Sequence, residues 1–477
     1  MKIRSAAAAL AVFLSACSGS DSRAEPPVTT ADLTQVVATS EAPAVPLTVT
    51  VPVVSPSRGG VVRVGMWIEP DPTATHSGGE IVRSLVQPQL FLPRPDGGWA
   101  PGLVEPGSVT EANDLTSVSF RLRAGAVWSD GVPISGDDLA ATADERFVAE
   151  VVSLADGQIT LNFTQPLPGW RRLWSGRDAL VPQRDGVYGG AFVVVSVTPG
   201  LVTVLEPNET WWGAGLDEFG GGPWIDELHL VVVPDQTTMM QLFDRGELDV
   251  VAPWASPGRL VVLEDIAGER IDVADEGGWS VIALVNPNRL EDDERRSLLT
   301  GLEAGEVVAS LLKGEASAGS LTTNSGALFE PRDPADLDLI PTITLAEDVP
   351  TLGFAARAMQ LKADDAGGLV PELRQAPTRL VEQWQAEGDY MALLTPAYSG
   401  PSGCFVCLYG DVAPGEAALA DAGDFGPLDE ALIEHALALT LWNPKRVVAW
   451  RETIRGVEAN GYAYFATWNA WQWWVAS

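Results

Sequence analysis

Apolar and polar positions change their spacing repeatedly along this chain, and each change marks an element. Val61, Val62, Val64 and Met66, announced by Gly59-Gly60, predict a strand over 61–67. Val118, Phe120 and Leu122 alternate with polar neighbours and predict a second. Asp130-Gly131 signals a tight turn, and Ser135 followed three residues later by Asp138 signals a helix start with an acid in its first turn. A short strand is predicted at 159–163, and a hairpin at 192–197 and 201–205 around Pro199-Gly200. A strand at 228–233, a helix at 237–245 stopped by Gly246, and a strand at 248–251 follow.

The second half continues the mixture. Strands are predicted at 281–285, 390–394 and from 342, and helices at 293–312, 352–363 and 428–439. Asn443-Pro444 predicts the cap of a last helix, with Val447, Trp450, Ile454 and Val457 on one face and Asn460-Gly461 at its end. Strands and helices alternate without a short repeat, so the fold class is α/β or α+β with more than one domain. A length of 477 residues suggests two to four domains.

The N-terminus reads as an address. Lys2 and Arg4 precede an apolar run at 6–14 that is too short to span a bilayer. Leu14-Ser15-Ala16-Cys17 resembles the bacterial lipobox, which implies cleavage before Cys17 and acylation (including palmitate) of its sulfur. Residues 1–16 are then a lipoprotein signal peptide. Residues 17–58, rich in Ser, Thr, Pro, Ala and Val, form a disordered tether that cannot bury a core.

Charge narrows the partners. The chain carries 30 basic and 64 acidic residues, a net charge of −34, and loss of residues 1–16 leaves −36. Phosphate recognition needs clustered cations, so nucleic acid is excluded as a partner. With three scattered His and three Cys, no metal site and no cofactor are expected.

Several motifs in a fixed order carry a family resemblance. They are the Gly-rich strand at 59–67, the Arg-X-Gly-X-X-Trp-Ser-Asp-Gly stretch with its acidic helix cap at 123–138, and Gly190-Ala191-Phe192. Pro199-Gly200, Asn208-X-X-Trp211-Trp212-Gly213, Gly221-Gly222-Pro223 with Asp226-Glu227, and Gly246-Glu247-Leu248-Asp249 follow, then Asn286 and the acidic Arg295-Arg296 helix. This set resembles the family-five extracellular solute-binding proteins, the dipeptide-, oligopeptide- and nickel-binding lipoproteins of ABC importers.

The resemblance implies a two-lobed clamshell of the periplasmic-binding-protein type II kind with an extra domain. Domain I would comprise 59–75, 187–282 and 461–477, domain II 76–186, and domain III 283–460. Hinge strands would cross at 281–286 and 462–466. The implied function is capture of a small or peptide-like solute in the interlobe cleft and delivery to membrane permease subunits. The protein would be a monomer, lipid-anchored on the extracytoplasmic face of the cell membrane, with no catalysis. The alternative is a non-transport receptor that keeps the fold with a degenerate pocket.

Candidate ligand-binding residues are few. Trp67 ends the first strand, Glu69 and Asp71 follow it, and His76 stands at the expected cleft edge. Asn286, Tyr398, Ser399 and Trp468 complete the set. Trp128-Ser129-Asp130-Gly131 is read as a turn that positions a helix, not as a Ser/Asp site. Cys404-Phe405-Val406-Cys407 sits in an expected loop; outside the cell a local disulfide suits it, with redox or metal roles as alternatives. Peptide-binding members place an Asp-Pro-like element after the Gly388-Asp389-Tyr390 strand, and its Asp meets the peptide ammonium. Here 397–404 hold no acid, so the usual amine anchor is missing.

Overall fold

Three principal sheets organise the chain in the computed structural model. The described residues are 55–477 except 75–76, 155–156, 177–178, 275–277, 303–311, 313–314, 319–332, 334–338, 366–368, 399–404, 422–424, 464 and 477. The expected signal, tether and Cys17 anchor therefore lie outside the described residues.

The first sheet has seven strands in the order Ile271–Ala274, Arg446–Trp450, Val250–Val251, Val61–Met66, Glu227–Val232, Val202–Pro207 and Phe192–Thr198. Val61–Met66 runs parallel to both Glu227–Val232 and Val250–Val251, and the outer strands are antiparallel. Both faces are covered. Val62, Val64 and Val448 pack in one core with Trp471 and Trp473 of the C-terminal segment. Val251, Val447 and Ala449 pack in another under the helices Gln236–Asp244 and Arg259–Ala267.

The second sheet has six strands, ordered Ala316–Ala318, Ala438–Pro444, Trp279–Val285, Ala392–Tyr398, Thr342–Ala346 and Glu372–Ala376. Its core holds Val281 to Val285 together with apolar faces of the helices Asp292–Leu302 and Pro350–Asp365. A four-stranded antiparallel sheet, Thr110–Glu111, Ser117–Arg121, Gln158–Phe163 and Val148–Ser153, forms the third body around Phe120, Trp128 and Trp170.

The chain passes from the first sheet to the second between Ala274 and Trp279 and returns through Lys445. This corrects two expectations. Residues 446–450 form a strand, not a helix, because Val447 and Val448 face opposite covered sides of the first sheet; burial on both faces hides the period. The return crossing consequently lies at 445 rather than 462–466, where a turn leads into the 3-10 helix Ala466–Gln472. The helix expected at 428–439 also stops early. Gly426–Glu434 is helical, Ala436 takes φ +48°, and the buried strand Ala438–Pro444 begins.

Other local signals hold. Ser135 and Asp138 form a reciprocal capping box on the helix Gly136–Ala141. Asp130 accepts from Val132 N–H at 3.1 Å and pairs with Arg184, so Trp128 to Gly131 is a structural turn. Asn208 Nδ2 donates to the Gly190 carbonyl at 2.9 Å, fastening one motif to another. A Cβ on Gly190 would stand 2.6 Å from both the Leu85 carbonyl oxygen and the Val86 carbonyl carbon. Backbone cannot yield there, so Gly190→Ala is expected to cost about 1–3 kcal/mol. Gly200→Ala, at a turn with φ +71° and open space around it, should cost about 1 kcal/mol. Thermal melting of the two variants side by side checks the difference.

Candidate functional site in the interlobe cleft

Four aromatic rings run in a line from one large sheet to the other. Trp67 follows the first strand of the first sheet, and Trp254 follows Val250–Val251 in a Pro253-flanked turn. Their centroids lie 5.1 Å apart, edge to face. Trp254 meets Trp279, the first residue of its strand on the second sheet, at 5.8 Å and 83°. Trp279 meets Tyr398, its cross-strand partner, at 5.0 Å. Arg446 lies 4.9 Å over the Trp279 ring. The Tyr398 hydroxyl donates to the Tyr462 carbonyl, which ties the second sheet to the C-terminal segment.

A buried ion pair stands beside this line. Arg259 Nε is 2.8 Å from Glu315 Oε2, with the two side chains only 1% and 3% exposed. Arg259 belongs to the first lobe; Glu315 immediately precedes the edge strand of the second. Glu315 also accepts from Leu260 N–H at 3.0 Å and Ser256 N–H at 3.3 Å, at the helix N-terminus where unpaired donors favour an anion. Arg259 donates to the Pro253 carbonyl at 2.6 Å. Burial lowers its guanidinium to about 10, against the opposing pull of Glu315. Thr351 adds an interlobe hydroxyl bond to the Ala255 carbonyl. Farther out, Arg172 of the third body pairs with Asp421 at 3.2 Å, and Asp421 caps the N–H groups of Phe405 and Val406.

Between these groups the lobes leave a void of about 30 Å³, bordered by Trp67, Trp254, Trp279, Lys445 and Arg446. That is room for one or two waters. Among the described residues, aromatic rings from both sheets and the buried ion pair surround this void.

The expected site residues separate. Trp67 borders the void, and Tyr398 packs on Trp279 at the far end of the ring line. Glu69 instead accepts from Gly200 N–H at 2.7 Å and holds the hairpin turn, and Asp71 accepts from Thr73. Asn286 follows the strand Trp279–Val285, about 23 Å from Trp279 at strand spacing. Its amide is spent on the Gly388 carbonyl and the Asn288 N–H, so it is a loop-fixing residue rather than a cleft residue. Trp468 donates to the Glu458 carbonyl, and nothing places it at the void. His76, Ser399 and Cys404 lie outside the described residues, and for Cys407 only the backbone is described. That backbone belongs to the helix Phe405–Tyr409, so the second half of the Cys motif is helical where a loop was expected. Asp411 does not replace the missing amine anchor, because it accepts from the buried Tyr390 hydroxyl inside the second lobe.

Trp254, Arg259, Glu315 and Arg446 were not among the expected residues. The Pro-Trp-Ala-Ser-Pro-Gly turn at 253–258 was a usable signal, since a Trp held between prolines rarely faces water without purpose. Arg259 and Glu315 are separated by 56 positions and carried none.

Residues 175–330 match the family described as bacterial extracellular solute-binding proteins, family 5 middle. The probable monoacyl phosphatidylinositol tetramannoside-binding protein LpqW of Mycobacterium tuberculosis is 24% identical over 299 residues, which is 54% of this chain. The chain spans about half the length of that curated relative, 45%. A periplasmic EDTA-binding protein, EppA, superposes with a TM-score of 0.70 at 19% identity, covering 89% of this chain and 98% of that one. Haemophilus influenzae OppA, solved with the peptide RPPGFSPFR, gives 0.70 at 15% identity over 89% and 100%. The mixed α/β multi-domain clamshell is thus the fold of this chain. Among the described residues no helix is long and apolar enough to cross a membrane.

Two predictions follow from the geometry. Glu315→Ala strands a buried guanidinium and should cost about 3–5 kcal/mol, whereas Arg259→Met with Glu315→Leu should recover most of it, measured by denaturant unfolding. Burial raises the Asp411 carboxyl above its ordinary value, with the Tyr390 hydroxyl pulling the other way. The native state then keeps a proton the unfolded chain has lost, so stability falls as pH rises through that window. Asp411→Asn should melt higher than the parent at pH 7, with the gap closing below the ordinary carboxylate range.

Proposed function

We propose that this chain is a family-five extracellular solute-binding protein, as the match over 175–330 and the shared fold support, and that it captures a small solute between its lobes and hands it to an ABC permease. The observation that carries this reading is the cleft itself. Two crossings, at 274–279 and at Lys445, join the lobes, and aromatic rings from both sides meet between them. Such a joint permits rigid-body opening, and enclosure then supplies affinity by desolvation. Domain I comprises 59–75, 187–274 and 446–477 in this reading, domain II 76–186, and domain III 279–444. Acylated Cys17 holds the body at the extracytoplasmic face of the membrane, with 17–58 as its reach. The protein acts as a monomer and performs no catalysis.

One observation favours a second reading, a receptor that has kept the fold and lost the pocket. The void bordered by described residues is small, and rings from both lobes meet across it. Melting of the mature protein against peptides, sugars, amines and metal chelates separates the two. Solute capture predicts a rise of several degrees with one compound class and a change in small-angle scattering on adding it. No shift with any class overturns transport in favour of the receptor.

A further inference from the structure

A second void lies away from the interlobe cleft. It holds about 20 Å³, room for one water, and its borders include Gln87, Gln89, Gly102, Gly190, Trp212 and Trp471. Trp212 packs against the core of the first sheet and against that of the third body, so the void stands where the two meet.

Three of the ordered sequence motifs converge on it. Gly190-Ala191 and Trp211-Trp212 line it directly. Arg123 lies 5.5 Å over the Trp212 ring and 5.3 Å over Phe219, and it donates to the Gly102 carbonyl at 2.6 Å and pairs with Glu218. Gly102, Trp212 and Phe219 all border the void, so the guanidinium covers one side of it.

The polar groups around this void do not balance. The indole N–H groups of Trp212 and Trp471 are buried without acceptors among the described residues, and Gln87 Oε1 is buried without a donor. Gln87 Nε2 donates to the Val187 carbonyl at 3.4 Å, which fixes the oxygen as the unmet end of the amide. Gln89 offers the contrast: its oxygen accepts from Gly176 N–H at 2.7 Å, and its nitrogen donates to the Ser84 carbonyl at 2.9 Å. A buried polar group left unpaired is costly, and three such groups around one void share a single remedy. Two indoles fill the acceptor positions of a water and the amide oxygen takes one of its hydrogens, about the number of bonds usual for a buried water.

We propose that this junction binds one resident water, which accepts from the Trp212 and Trp471 indoles, donates to Gln87 Oε1, and so fastens the third body to the first sheet. The site stands apart from solute capture and does not depend on it. The test is water-selective NOE and ROE spectroscopy of the mature protein with isotope-labelled indole nitrogens, the two signals being assigned by Trp212→Phe and Trp471→Phe. Both signals should show cross-peaks at the water frequency with opposite signs in the two experiments, the mark of a water held inside rather than of proton exchange with solvent. Gln87→Met, which removes the acceptor, should weaken both cross-peaks about two-fold or more. Gln89→Met, at a glutamine whose amide serves protein groups, should lower the melting temperature and leave the cross-peaks unchanged. Cross-peaks on neither indole or on only one, cross-peaks of equal sign, intensities unmoved by Gln87→Met, or equal weakening in Gln89→Met overturn the proposal. A high-resolution crystal structure of the parent needs no variant: one water within hydrogen-bond distance of all three atoms supports the site, and failure of any of the three to meet it overturns the site.

Discussion

Arg259 and Glu315 form the contact on which the relation of the two lobes depends. A guanidinium this deeply buried is tolerated only with its charge met and its remaining donors used, and the carbonyl of Pro253 joins Glu315 in doing so. The pair sits beside Lys445, where the chain returns to the first sheet, and Lys445 N–H donates to the Glu315 carbonyl at 2.9 Å. A rotation about that crossing displaces groups nearest to it least. The ion pair is thus placed where it can persist while the outer contacts, Arg172 with Asp421 among them, separate.

The same arrangement sets the cleft. Glu315 caps the helix that begins at Arg259, and that helix follows the turn carrying Trp254. Fixing the helix start fixes the turn, and the turn aims Trp254 at Trp279 of the other lobe. One carboxylate thus links the interlobe ion pair to the placement of Trp254.

Much of the fold was legible in the residue pattern of the first half. Alternation marked the half-buried strands 117–121 and 158–163, and the Ser135–Asp138 cap marked its helix, because these depend on neighbours within a few positions. The misreadings cluster at 436–457, where successive residues are buried on both faces and periodicity vanishes. Trp67 was recognisable as a cleft candidate from its place at a strand end, whereas Tyr398 was expected in a loop after a strand at 390–394 and instead ends the longer strand Ala392–Tyr398. Glu69 and Asn286 were not separable from ligand groups, since a carboxylate or amide spent on a distant backbone group looks the same in sequence as a free one.

By itself the sequence determined which segments become strands and helices where one face meets water, and the ordered motifs determined the family of fold. Those motifs are structural: Gly190 admits the close backbone of 85–87, and Asn208 fastens to it. Only the tertiary structure decided where the chain re-enters the first sheet, which acid meets Arg259, and which indoles meet across the cleft. These pairings join residues tens to hundreds of positions apart. Their energies come from shared burial, which no local pattern of residues encodes.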